Sequence, residues 1–199
     1  MDPQLKWHAH IDYVAGKLNS RLFLLKQLRG QVSLTTLKNA YYGLFHSILS
    51  YGLLLWGHTP HSTKLFIIQK KAIRILARLS YNEHAKPSFI NMGILTLPSM
   101  FVLQCLIHIK KNRERYVSFE QVHSYNTRHK GNIVLNSNRV NSSRNGPNYY
   151  SVNLFNKLPS RVRDMPFNQF KSLISNHLKR KAFYSIEEFL SCPCDPDAV

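Results

Sequence analysis

The stretch Leu37-Lys-Asn-Ala-Tyr41-Tyr42-Gly-Leu-Phe45-His-Ser-Ile-Leu-Ser-Tyr51-Gly52-Leu-Leu-Leu-Trp56-Gly57, followed after a short break by Leu65-Phe-Ile-Ile-Gln69-Lys70-Lys71-Ala-Ile-Arg74-Ile-Leu-Ala-Arg78-Leu79, decides the fold class. In its first half Leu37, Tyr41, Leu44, Ile48, Gly52 and Leu55 recur at helical spacing, so one face can be buried. Gly57, Pro60 and Ser62 supply a turn and a cap for a second helix. On that second helix Leu65, Ile68, Ala72, Leu76 and Leu79 make an apolar stripe, and Lys70, Lys71, Arg74 and Arg78 gather beside it at spacings of three and four. The reading is a helical hairpin, apolar inside and cationic outside.

Charge is the strongest compositional signal. The 199 residues carry 27 Lys+Arg against 10 Asp+Glu, a net charge of +17. No acidic residue stands between Asp12 and Glu83, and none between Glu120 and Asp164. So much cation cannot be neutralised internally, which implies an anionic partner; a nucleic-acid backbone suits a helical domain with a foldable core and many aromatics. Apolar residues make up 44% of the chain, enough for that core. Cys105, Cys192 and Cys194 form no disulfide framework, and the polar N-terminus with Asp2 does not read as a secretory leader. A reducing, intracellular setting follows, nucleus or cytoplasm. Leu44 to Trp56 is too short and too interrupted by His46, Ser47 and Ser50 to span a bilayer, so no membrane partner is expected.

Outward from the hairpin, Val14, Leu18, Leu22, Leu25 and Leu28 predict a preceding helix ending at Gly30, with Ser33 capping the next. Residues 80–97 read as a connector. Pro98 suits the first turn of a helix running to about Arg115, apolar nearly all round and ending in Lys110, Lys111, Arg113 and Arg115. Ile133-Val134-Leu135 and the segment from Tyr149 to Leu154 are β-prone and predict a small two-stranded ribbon with a long intervening loop. Phe167, Phe170, Leu173, Ile174 and Leu178 make a last amphipathic helix. The fold class is therefore mainly α, a helical bundle with a basic hairpin plus a small β ribbon and a terminal helix. Its organisation is a helical unit over 1–116, a C-terminal region over 117–190 and a disordered tail over 191–199.

Several short segments, in order, carry a family resemblance. Asp2-x-x-Leu5-x-Trp7-x-x-His10-Ile11, Ser50-Tyr51-Gly52-x-x-x-Trp56-Gly57, Gln69-Lys70-Lys71-Ala72-x-Arg74, Gly93-Ile94-Leu95-Thr96-Leu97, Tyr125-x-Thr127-Arg128, Phe155-Asn156-x-Leu158-Pro159-x-x-Val162-Arg163 and Phe167-x-x-Phe170-Lys171 together resemble the region after the palm in reverse transcriptases of jockey-like non-LTR retrotransposons. Phe155 stands where that family usually has Trp. The resemblance reaches to about Phe183 and implies a thumb-like helical unit together with the region beyond the thumb. The family's aromatic-x-Asp-Asp motif has no counterpart here. Two-metal phosphoryl transfer needs clustered carboxylates, and the acids here are scattered. The expectation is a non-catalytic C-terminal fragment with no cofactor of its own, the magnesium belonging to the missing palm.

A thumb-like unit grips RNA, DNA or their hybrid through the phosphate backbone without reading sequence. Lys70, Lys71, Arg74 and Arg78 are the first candidates for that contact, against a merely solvated helix face. Lys110, Lys111, Arg113 and Arg115 extend it or stand apart. Arg128 binds a phosphate or braces the ribbon. Tyr41, Tyr51 and Trp56 stack bases or, as their spacing among leucines favours, pack in the core. Tyr149 and Tyr150, beside a polar loop, are freer to reach a partner. Cys192-x-Cys194, His8-x-His10 and His58-x-x-His61 lack the companions a metal site needs, so no metal is expected. The alternative to nucleic-acid binding is an interaction remnant, pairing with itself or with an intact polymerase through the face the palm would cover.

Overall fold

A computed structural model describes residues 7–122, 130–135 and 146–192. The elements are α1 (His8–Leu28), α2 (Leu34–Ala40), a π-helical turn (Tyr41–His46), α3 (Ser47–Ser50), α4 (Leu53–Trp56), α5 (Ser62–Ala77), α6 (Lys86–Met92), α7 (Leu97–Lys111), α8 (Phe119–Val122), α9 (Pro147–Lys157), α10 (Ser160–Asp164), α11 (Phe167–Lys181) and α12 (Ile186–Ser191), with a 3-10 turn over Arg113–Arg115. The helical class read from the sequence stands.

Helix α1 buries Ile11, Val14, Ala15, Leu18 and Leu25 along one stripe. Its main partner is α5, which buries Leu65, Ile68, Ala72 and Leu76. The two run parallel: Asp12 meets Lys64 near their starts, and Arg29 and Arg78 border one groove at their ends. Parallel neighbours need a returning segment, and α2 to α4 supplies it, ending where Trp56 meets His10. Ser33 caps α2, its hydroxyl accepting the Thr36 N–H at 3.2 Å. The expected first arm of the hairpin is broken near its end. Tyr51 turns extended and Gly52 takes φ +63°, a conformation in which glycine suffers no Cβ penalty. The break leaves Leu55 exposed rather than on the buried face.

Gly57 follows because nothing larger fits: a Cβ there would lie 2.5 Å from the Phe101 ring and 2.7 Å from the Leu53 carbonyl. Phe101 belongs to α7, whose Phe101, Val102, Cys105, Leu106 and Ile109 are all buried. The helix starts from a Thr96 cap with Pro98 in its first turn. On its far side lie α9 and α11. One buried cluster therefore runs from Ile11 through α5 and α7 to Val152, Phe170 and Phe189, on both sides of residue 116.

The β ribbon is corrected. Tyr149 to Leu154 lies inside α9, which begins at Pro147 and buries Val152, Leu154 and Phe155 at helical spacing. Packing against α7 outweighs the β preference of Tyr and Val. Among the described residues there is no strand; Ile133 forms an isolated antiparallel bridge with Ser118. The edge of Ile133 is covered by a side chain instead. Asn156 Oδ1 accepts the Ile133 N–H and Asn156 Nδ2 donates to the Ile133 carbonyl, both at 2.9 Å. The helix over Phe167–Lys181 forms as read, but a further helix, α12, follows it. Of the tail expected over 191–199, residues 193–199 lie outside the described residues.

Candidate nucleic-acid interface

Helix α5 turns Ile67, Lys71, Arg74 and Arg78 to its outer side, at steps of four, three and four residues. Arg78 ends the helix in the left-handed region, φ +58°, and the next N–H, that of Leu79, bonds back to the Arg74 carbonyl at 2.9 Å. Arg74 Nε donates to the Glu83 backbone carbonyl at 2.8 Å. The Glu83 carboxylate faces elsewhere: hydrogen bonds from Ser80 hold it below the usual carboxylate range. Lys71 and Arg78 make no ion pair among the described residues. Lys70 leaves this stripe, its ammonium sitting 4.9 Å from the Phe66 ring centre and 5.6 Å from that of Tyr184.

The parallel packing adds a residue that reading α5 alone does not find. Arg29, just past α1, borders the same groove as Arg78. Two helices ending side by side bring the negative ends of two helix dipoles together, and cations are favoured there. The signal was in the sequence: the acid-free run after Asp12 includes all of α1 beyond its first turns, with Lys17, Arg21, Lys26 and Arg29.

The cations ending α7 are used differently. Lys110 donates to the Arg163 backbone carbonyl and lies 5.6 Å from the Phe170 ring centre. Burial pushes its ammonium below the ordinary lysine value, with Asp164 opposing and Arg113 reinforcing the shift. Lys111 covers Phe167 at 5.6 Å, and Arg113 donates to the Tyr116 carbonyl at 3.0 Å. These groups fasten α7 to α10, α11 and the following turn, whereas the α5 group stands beside α1, α6 and Tyr184. Arg128, with Tyr125 and Thr127, lies outside the described residues.

Among the aromatics, Tyr41 and Trp56 are fully buried, while Tyr51 is 77% exposed. Tyr150 is half-buried and stacked 5.2 Å from the His58 ring, so it packs within the molecule rather than standing free. His8 pairs with Asp12 at 3.3 Å and sits edge-on to His61. Among the described residues no group of three or more His, Cys, Asp or Glu is arranged to hold a metal; Cys194 lies outside them. No single helix among them is long and apolar enough to cross a membrane.

The segments that carried the resemblance have structural duties here. Gln69, fully buried, joins α5 to Tyr41 and to the turn before α7. Thr96 caps α7 and donates to the Phe183 carbonyl. Arg163 donates to the Gly131 carbonyl and to Asn132 Oδ1, each at 3.0 Å. Comparison of the chain with protein-family models, with curated proteins and with solved structures gives no match.

Proposed function

We propose that the chain is a non-catalytic C-terminal fragment of a retrotransposon-type RNA-directed DNA polymerase, and that it binds RNA, DNA or their hybrid through the phosphate backbone. The observation that carries this reading is the stripe of Lys71, Arg74 and Arg78 on α5, with Arg29 beside it and the Glu83 carboxylate turned to Ser80. Such a face attracts a polyanion without reading sequence. No step of polymerisation is assigned to it, because the paired carboxylates that would hold two metal ions belong to the palm. Titrating binding to a short RNA–DNA hybrid against salt tests the reading. The affinity falls on a log–log plot with a slope of about −0.7 to −0.9 per phosphate contacted. Replacing Lys70, Lys71, Arg74 and Arg78 together by Ala flattens that slope by a few units; an unchanged slope rules this face out.

A second reading has one specific observation in its favour. Tyr13 and Phe23 on α1 are 61% and 60% exposed, and Leu24 on α1 and Leu34 on α2 are open as well. Apolar side chains left open to solvent in this way suit contact with a polymerase core or a second copy of the chain. Light scattering separates the two: a monomer that binds the hybrid supports the first.

A further inference from the structure

The groove at the paired ends of α1 and α5 is more than a cationic rim. It encloses about 470 Å³, within the range of small-molecule sites. Its lining is mostly apolar, and the buried Leu37 and Leu76 with the half-buried Met92 form its floor. Arg29 and Arg78 stand at its border, and none of its lining residues is acidic. Ser88 and Asn91, from α6, also face it, and their side chains make no hydrogen bond among the described residues. A phosphate clamp alone needs no apolar hollow, and a purely apolar partner gains nothing from two guanidinium groups. A nucleotide has both characters: a flat, weakly hydrated base with hydrogen-bonding edges, joined to phosphates on either side.

We propose that this groove receives one unpaired nucleotide of a bound strand, its base on the apolar floor within reach of Ser88 and Asn91 and its flanking phosphates on Arg29 and Arg78. The proposal rests on the phosphate-binding reading and refines it, since the fragment then prefers strands that offer an unpaired base. Extruding a base already unpaired costs little, so a bulge or overhang is favoured over a continuous duplex.

The test uses the full chain and two short RNA–DNA hybrids, one fully paired and one with a single bulged 2-aminopurine. The bulged hybrid binds about tenfold more tightly, the size of one base-stacking contact, and its fluorescence changes on binding. Asn91→Ala, at an exposed position, and Met92→Trp, which fills the floor, each bring the two affinities together. Circular dichroism melting verifies that both variants fold. Equal affinity of the unaltered chain for the two hybrids overturns the nucleotide site and leaves phosphate binding standing. A bulge preference that survives both substitutions overturns it too, since the base then sits elsewhere. Binding to neither hybrid at low salt removes both readings together.

Discussion

The side-chain carbonyl of Gln69 accepts the backbone N–H of Leu97 at 2.8 Å, inside a core where Gln69 is completely buried. Its amide donates to the Leu95 carbonyl at 2.9 Å and to the Tyr41 hydroxyl at 3.1 Å. One residue of α5 thus fixes the π-helical turn on one side and the start of α7 on the other. A buried polar group is tolerable only when its partners are met, and here each loses its partner if Gln69 goes. Gln69→Leu, close in size, strands three groups and is expected to cost about 3 kcal/mol, with each unsatisfied group worth roughly 1–3 kcal/mol before relaxation. Urea unfolding measures it; a loss under about 0.5 kcal/mol would mean the network does not hold these elements.

Two glycines carry opposite signs. Gly57→Ala places a methyl group against the Phe101 ring and the Leu53 carbonyl, where there is no room, and should destabilise by about 1–3 kcal/mol. Gly16 lies exposed in the middle of α1 with nothing within 4 Å of an added Cβ. Gly16→Ala should therefore stabilise by about 0.5–1 kcal/mol through helix propensity alone. Thermal melts of the two variants moving in opposite directions are the expected outcome.

What the sequence revealed and what it concealed divide along physical lines. Helices α1, α5, α7 and α11 were legible because their apolar residues repeat at helical spacing, and the Ser33 and Pro98 signals marked true starts. Helix α9 is hidden in the sequence because Tyr149, Tyr150 and Val152 favour strands locally, while the burial that makes them helical comes from α7, distant in sequence. Helix α12 does carry a local signal, since Ser185-x-x-Glu188 is a capping pattern and Ser185 Oγ accepts the Glu188 N–H at 3.0 Å. For the candidate interface, the charge imbalance pointed to α5 but not to how its cations are shared out. That Lys110 is tied to the Arg163 carbonyl, and that Lys70 turns to Tyr184, are tertiary facts with no local pattern.

That partition separates two kinds of cation by experiment. Lys71→Ala and Arg78→Gly remove charge from side chains that make no ion pair among the described residues, and Gly accepts the φ of +58° at position 78 more readily than Arg does. Together they should leave stability within about 0.5 kcal/mol or raise it, while flattening the salt dependence of hybrid binding by about 0.7–0.9 for each phosphate no longer held. Lys110→Ala should do the reverse. It removes a charge-assisted hydrogen bond and the cover over Phe170, costing about 1 kcal/mol, with the salt slope unmoved. A slope that falls with Lys110→Ala and not with the α5 pair would transfer the interface to the end of α7.

The imidazole of His46 gives the stability a pH dependence. It lies in the π-helical turn with its ring 5.2 Å from that of Tyr42 and 6.1 Å from that of Tyr41, and its buried Nδ1 has no hydrogen-bond partner among the described residues. Burial disfavours the imidazolium and lowers the pKa below the ordinary histidine value of 6.5. His177 shifts the same way, through burial first and then the charges of Lys181 and Arg180. In that situation the unfolded chain binds protons that the folded chain refuses. Stability is then complete above the unfolded pKa and declines as pH falls through about 6.5 toward the folded values. Urea midpoints taken between about pH 7.5 and pH 5 should fall for the unaltered protein. His46→Leu should make that decline shallower, and adding His177→Leu shallower again. A decline of the same steepness in all three would assign it to other groups.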